Sequence, residues 1–458
     1  MTVAAPTVRR RGWRALDTAG DGLALDLTLY AASAVFAAVT ALTSTLLPHR
    51  AWGTVAAAGY LLAGLAVTAQ LLIRRRHPTS PLTGLSARSA VTAFAWATTT
   101  LLPVLLQSTE RAGGRTDRAQ EEVIVVEESG RRLVDTGTPY LGHDAIAALP
   151  PGEQLLGYTP YQPGMALFGL PRAAVDAAWT DARVWFALAT AGALALAVRA
   201  LRRRGTPGTP GGRDAAVLRA VQAATVLPVC ALTLATGGDD LPVLALCLLA
   251  LAFAAADRPG RAGVAVGLAG ALKLFAWPVA LVLIIWGTTR RAGWRVTAGA
   301  VGLPVAALLP VLLVDRDALV ENVLRFPLGH GLVTSPAQSP FPGHLVATAL
   351  PAGRAIAVVL LLAAGLAIAV RLGRRPPRTA TDVALVCGYG LLAAILLMPS
   401  TRFGYLLYPL AFLVWAPALA PPRPVDAADA AGSVPAVGSA GPARSANQRA
   451  EDADTAYT

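Results

Sequence analysis

A few charged side chains interrupt long apolar stretches of this sequence, and their types are suited to chemistry. Lys273 falls in the middle of an apolar run, where an ionisable group is costly and usually serves a function. Asp239 and Asp240 follow two glycines between apolar runs, and could orient a ligand or hold a divalent cation. Arg402 lies between the last two apolar runs, where a guanidinium could bind a phosphate. Such groups favour phosphate binding by cations and general-base catalysis by a carboxylate.

Each of these residues also has a structural interpretation. A lysine in a membrane helix can extend its ammonium to the interface, and two aspartates can form an ordinary turn. Arg402 can anchor the chain at an interface beside Tyr405 and Tyr408. Acidic residues of a loop that faces water need no catalytic role. The histidines lack partners at ligand spacing, so the sequence predicts no dedicated metal site.

Composition indicates the class of protein that must position these residues. The 458 residues are 55% hydrophobic and only 14% charged, whereas soluble proteins carry about 25% charged residues. Many apolar runs are long enough to cross a hydrocarbon core of roughly 30 Å. The net charge of +12 comes from arginine clusters beside these runs, which indicates membrane orientation and not nucleic-acid binding. We therefore predict an all-α, polytopic membrane protein without a cleavable signal peptide, whose three cysteines are buried and unpaired.

The charge pattern predicts how the chain crosses the membrane. About ten spanning blocks are expected within a transmembrane domain at 23–420, with a cytoplasmic lead at 1–22 and a disordered cytoplasmic tail at 421–458. Two polar stretches, 107–183 and 315–353, become outer loops. The protein is therefore expected in the plasma membrane, with both termini in the cytoplasm.

One segment breaks the alternation of sides. Residues 262–286 have arginines at both flanks, and both flanks should be cytoplasmic. Lys273 and Pro278 also interrupt this apolar run. We therefore predict a broken, re-entrant hairpin, a form that is tolerated where it is buried in protein or lines a cavity.

Five stretches resemble, in the same order, elements of one family of membrane enzymes: 122–140, 158–163, 238–242, 262–273 and 399–405. The first is acidic and ends in Gly-x-Pro-Tyr, the second resembles a Tyr-Pro-Pro element, and the fourth is a Gly- and Ala-rich run that ends in Lys273. Together they cover about 110–420 and resemble glycosyltransferase family 87, of the GT-C class.

The resemblance implies a transferase that moves a sugar, mannose or another hexose, from a polyprenyl-phosphate donor to a lipid or glycan acceptor of the cell envelope. An outer-loop carboxylate would be the base of an inverting reaction, for which we favour Glu122 and then Glu127, although Glu127 could instead position the acceptor. The candidate donor- or substrate-binding residues are Asp239, Asp240, Lys273, Arg402, Tyr405, Tyr158 and Tyr161.

Two features depart from the family pattern. The family usually has Asp where Glu122 aligns, and this chain carries an additional helical hairpin at 23–73. The donor sugar is therefore less well indicated than the fold.

Two other functions fit parts of the sequence. A transporter or lipid-carrier protein also uses broken helices and buried charges, and a noncatalytic scaffold of envelope assembly needs neither. The chain shows no internal repeat of the kind that transporters have, and no glycine-rich nucleotide loop that would indicate a nucleotide-sugar donor. Variants of Glu122 and Lys273 would distinguish these functions.

Overall fold

The computed structural model describes residues 19–203 and 212–421. These residues contain helices and no strand, and one isolated bridge pairs Gln338 with Thr401. The predicted all-α polytopic fold is confirmed. Most of the predicted cytoplasmic lead, part of the connector at 205–214, and the tail from residue 422 lie outside the described residues.

The α-helices of the described residues follow one another along the chain with few long connections. The first group is α1 Leu23–Thr43, α2 Leu47–Arg76, α3 Leu85–Trp96, α4 Leu102–Ala112, α5 Glu121–Thr136, α6 His143–Ala147, α7 Gln154–Gly157, α8 Leu170–Ala174, α9 Ala182–Arg202 and α10 Gly212–Thr225. The second group is α11 Pro228–Thr236, α12 Asp240–Ala255, α13 Pro259–Leu272, α14 Trp277–Thr289, α15 Gly293–Val314, α16 Arg316–Val320, α17 Pro342–Ala349, α18 Gly353–Arg374, α19 Ala380–Leu397 and α20 Leu407–Trp415. A π-helical turn joins α3 to α4 without a break in direction of the chain.

The number of membrane crossings is smaller than the ten expected. Within the described ranges, seven helices are long and apolar enough to cross, or eight if the bent pair α10–α11 is one span. The difference lies in the predicted blocks at 241–256 and 403–419, which form shorter apolar helices. The 16 residues of α12 extend about 24 Å at 1.5 Å per residue, which is short of a roughly 30 Å core.

Helix α12 lies inside the protein. Fourteen of its 16 residues are buried, and a helix that is apolar on all sides is typical of such a position. Cys247 of α12 is one of three cysteines, all of which are buried and unpaired, as predicted.

The segment around 262–286 forms a hairpin of α13 and α14. Asp257, just before α13, pairs with Arg290, just after α14, at 3.4 Å. The chain therefore returns to the end of the bundle that it came from, as the charge pattern indicated. Lys273 lies at the opposite end, at the tip of the hairpin between the two helices.

Glycines allow α13 to lie directly against α15. A Cβ atom on Gly267 would lie 2.0 Å from the carbonyl oxygen of Gly299. Small residues at such a crossing let two backbones approach closely, which is a common way of packing helices in membranes. This contact fixes the hairpin whose tip carries Lys273.

The two predicted loops contain ordered structure at the end of the bundle that carries this tip. In the first, α5 turns Val123 and Val126 inward. In the second, residues 335–341, called the strap here, pair with the segment at 400–403: Ser339 N donates to Thr401 O at 2.9 Å, and Thr401 N donates to Ala337 O at 2.9 Å.

Candidate functional site

Lys273 is buried at the break between α13 and α14, with only 7% of the residue exposed. Its backbone is extended, so α13 ends there. The Nζ atom donates to Asp239 Oδ2 and to Asp240 Oδ1, each at 2.7 Å. A lysine ammonium has three N–H donors, so a third one is left for a ligand. The side chain does not extend to solvent as an interface lysine would.

A tight turn between α11 and α12 brings the two aspartates to Lys273. Gly238 has a φ of +90°, which is strained for any residue with a side chain. A Cβ atom at this position would also lie 2.6 Å from the ring of Phe186. Asp240 then begins α12, where the unpaired backbone N–H groups of the first turn favour a negative charge.

Tyrosine rings surround the ammonium group. Lys273 Nζ lies 5.3 Å from the ring centre of Tyr161 and 5.4 Å from that of Tyr405, within the range of cation–π attraction. The hydroxyl of Tyr408 donates to Asp240 Oδ1 at 2.8 Å. Three tyrosine side chains from two distant parts of the chain thus enclose one ion-pair cluster.

A second ion pair joins Arg402 to Glu122, through Nη1 of the arginine and Oε1 of the glutamate. The glutamate side chain is 15% exposed and the arginine side chain 34%. Burial alone would lower the pKa of the Arg402 guanidinium, but the charge of Glu122, its hydrogen bond and the nearby Tyr405 together raise that pKa above its ordinary value. Arg402 therefore keeps its positive charge in this partly buried position.

Tyr161 lies where the two ion pairs meet. Burial raises the pKa of its phenol, and the negative charges of Asp239 and Glu122 raise that pKa further. Glu122 Oε2 also lies 3.7 Å from the position that a Cβ atom on Gly237 would occupy, beside the turn that carries the aspartates. The structure therefore brings together the charged residues that the sequence analysis grouped: Glu122, Asp239, Asp240, Lys273 and Arg402.

A family model classifies the chain. Residues 158–400, more than half of the chain, match the model described as Glycosyltransferase family 87. The chain belongs to glycosyltransferase family 87. No curated protein and no solved structure matches it. Membership of family 87 makes the chain a membrane glycosyltransferase, and the matched residues include Asp239 and Lys273, whereas Glu122 and Arg402 lie outside them.

Glu127 of this family 87 chain is engaged in a different set of contacts. Arg111 Nη1 donates to Glu127 Oε1 at 2.8 Å and to Asp181 Oδ2 at 3.0 Å. The backbone N–H of Ala182 donates to the same Glu127 oxygen at 3.1 Å. The carboxylate is thus surrounded by donors, and its contacts support a role in holding α5 against α4 and α9 more than a role as base.

Tyr158 also lies among contacts of its own. Its hydroxyl donates to Glu321 at 2.9 Å and accepts from the backbone N–H of Leu332 at 2.8 Å. Its ring stacks on Phe326 with 4.2 Å between the ring centres. Tyr158 therefore links the two loops, whereas Tyr161, three residues further on, contacts the ammonium.

Two residues of the site were not found from the sequence. The sequence indicates only an interface role for Tyr408, although its spacing of three from Tyr405 places both on one side of a helix. Gln120 binds Thr236 twice, through its backbone N–H at 2.9 Å and through its Oε1 at 2.9 Å. No pattern in the sequence distinguishes Gln120 from other polar residues of the loop.

A divalent cation does not fit the two aspartates as they are arranged. The ammonium of Lys273 already bridges Asp239 and Asp240 and supplies the compensating charge. The described residues also contain no group of three or more His, Cys, Asp or Glu side chains that could hold a metal ion.

Proposed function

We propose that this enzyme transfers a hexose, with mannose as the first candidate, from a polyprenyl-phosphate donor to a lipid or glycan acceptor of the cell envelope. Family membership supports the transferase class, and the spanning helices favour a donor that resides in the membrane. Arginine clusters such as Arg74–Arg76 lie at the end of the helices opposite the site. By the positive-inside rule, this supports an outer-face reaction at the plasma membrane, with both termini in the cytoplasm.

Glu122 is the proposed general base. It would take the proton of the acceptor hydroxyl while the acceptor oxygen bonds to the anomeric carbon of the sugar. The bond between that carbon and the phosphate oxygen breaks, and the electron pair leaves with the lipid phosphate. A single displacement of this kind inverts the anomeric configuration, in the same way as in inverting glycosidases.

Arg402 connects donor binding to the availability of this base. A donor phosphate that accepts from the guanidinium would compete with Glu122 for the same donor atoms. Binding of the donor would then free the carboxylate to accept a proton. The pair of Arg402 and Glu122, beside Lys273 with its free N–H, is the observation that carries the proposal.

The remaining residues would shape the donor site. Asp239 and Asp240 hold the ammonium of Lys273 in place, and its third N–H would contact the phosphate or a sugar oxygen. Tyr161 and Tyr405 line the same space and would face the sugar ring.

The proposal is tested with purified protein in liposomes, a radiolabelled polyprenyl-phosphate mannose donor and a glycolipid acceptor extract. Replacement of a general base lowers the rate by about 10²- to 10⁴-fold, so Glu122→Gln should lower kcat by that factor. It should also lower the KM of the donor, since the carboxylate that competes with the donor phosphate for Arg402 is gone. Glu121→Gln is the matched control, because it removes the neighbouring, exposed carboxylate.

Two results would contradict the proposal. If Glu122→Gln retains kcat within the range of Glu121→Gln, Glu122 is not the base. If sealed vesicles move the labelled lipid across the bilayer and form no glycosidic bond, the protein is a lipid carrier and the transferase assignment for this chain fails.

A further inference from the structure

A cavity of about 360 Å³ lies between α2 and α4, at the end of the bundle that carries the candidate site. Its polar wall includes Gln107, Glu110 and Arg118, and its apolar wall includes Val55 and Leu106. All of its lining residues precede residue 158, so the family match does not extend to it. Its composition is that of a site for a molecule with a polar head and an apolar part.

Gln107 indicates which polar group fits the cavity. The residue is only 2% exposed, yet neither its Oε1 nor its Nε2 has a partner among the described residues. An amide side chain both donates and accepts hydrogen bonds. A hydroxyl group can satisfy both needs, whereas a phosphate only accepts and a hydrocarbon does neither.

The charges around the cavity are nearly balanced. Arg118 pairs with Glu110 and with Asp117, and Arg115 pairs with Asp117 at 2.9 Å. Arg50 donates to the carbonyl oxygen of Ala41 at 3.3 Å. Such a wall offers hydrogen-bond donors and acceptors, and its positive and negative charges nearly cancel. It therefore suits a neutral polyol better than an anion.

Residues of the cavity wall lie close in sequence to the proposed base. Arg118 of the cavity wall is followed closely by Gln120 and Glu122. His49, next to Arg50 on α2, lies beside the side chains of Gln120 and Glu122. The cavity wall and the carboxylate of Glu122 therefore share two neighbouring segments, residues 47–50 of α2 and residues 118–122.

We propose that this cavity is the acceptor subsite, which holds the polyhydroxylated head of the acceptor with Gln107 as a specificity-determining contact. The inference rests on the proposed function, since it places the attacking hydroxyl near Glu122. It also gives a role to the additional N-terminal hairpin, because α1 and α2 supply one wall of the subsite.

The test uses octyl glycosides of mannose, glucose and galactose as probes, with titration calorimetry on the full-length protein in detergent. Gln107→Leu introduces an apolar side chain of similar size and removes both polar atoms. Loss of these hydrogen bonds should weaken glycoside binding by about tenfold. Ala51→Leu, which fills part of the cavity, should weaken binding as well. In the transfer assay, both variants should raise the KM of the acceptor and leave the KM of the donor unchanged.

Gln70→Leu is the matched control. Gln70 is also buried, also has an unpartnered Oε1 and lies on α2 outside the cavity. The subsite is rejected if Gln107→Leu and Gln70→Leu affect glycoside binding equally. It is also rejected if none of the octyl glycosides binds saturably, since water alone then fills the cavity, or if octyl phosphate binds more tightly than all of them. If the wild-type protein binds the glycosides but transfers no sugar, the proposed transferase function is refuted, whereas the glycoside-binding site is supported.

Discussion

Lys273→Met tests the ion-pair cluster most directly. The substitution removes the ammonium and keeps an unbranched apolar stem of similar length. Asp239 and Asp240, only 3% and 6% exposed, would then lie side by side without a cation. Removal of one partner from a buried ion pair destabilises a protein by about 3–5 kcal/mol. That is a large part of a total stability of about 5–15 kcal/mol.

Thermal unfolding in detergent measures this effect. Because the entropy of unfolding grows with chain length and reaches about 1 kcal/mol per kelvin at this size, a loss of this size should lower the melting temperature by about 3–5 °C. Adding Asp239→Asn and Asp240→Asn to Lys273→Met removes the unpaired charges, so this triple variant should regain much of the stability but none of the transfer activity. If Lys273→Met melts within about 1 °C of wild type, no more than about 1 kcal/mol has been lost. The ammonium would then not be the counterion of the two carboxylates.

Three further predictions address other parts of the site. Arg402→Lys keeps the charge but loses the planar fork that matches a phosphate, so steady-state kinetics should show a donor KM raised by about tenfold; an unchanged KM would remove Arg402 from the donor site. Gly238→Ala should destabilise the protein by about 1–3 kcal/mol in thermal unfolding, because of its positive φ and the ring of Phe186, whereas Gly192→Ala in α9, with open space around the new methyl group, should not; equal melting points would contradict this. Glu127→Gln should lower the melting temperature and leave the kcat of the folded fraction close to wild type; a loss of kcat without a loss of stability would return Glu127 to the candidates for the base.

The arrangement of apolar runs and arginine clusters contains most of the information about the fold. The hairpin of α13 and α14 could be predicted because residues 262–286 carry arginines at both flanks. The number of crossings could not, since hydropathy records how apolar a segment is and not what surrounds it. Protein surrounds α12. Its 16 residues are apolar enough to suggest a membrane span, but the helix is too short for one.

The same distinction applies to the site. Lys273 could be selected from the sequence because a charge in an apolar run is rare, and the chain contains no other lysine among its 39 basic residues. A compact ammonium can donate to two separate carboxylates, for which the flat guanidinium is less suited. The sequence favoured Glu122 over Glu127 but showed no contact that separates them, because both are glutamates of one acidic helix. Only the folded chain shows that Arg402, 280 residues away, lies against the first of them.

The strap affects the position of Arg402, the cation proposed to bind the donor phosphate. Its backbone is bonded to Thr401, the residue immediately before Arg402, so any displacement of the strap is transmitted to that guanidinium. A lipid donor that displaced the strap as it entered would move Arg402 away from Glu122. The ion pair between Arg402 and Glu122 would form again when the strap returned to its position. Substitutions in the strap would in this way alter the rate at which the enzyme binds its donor.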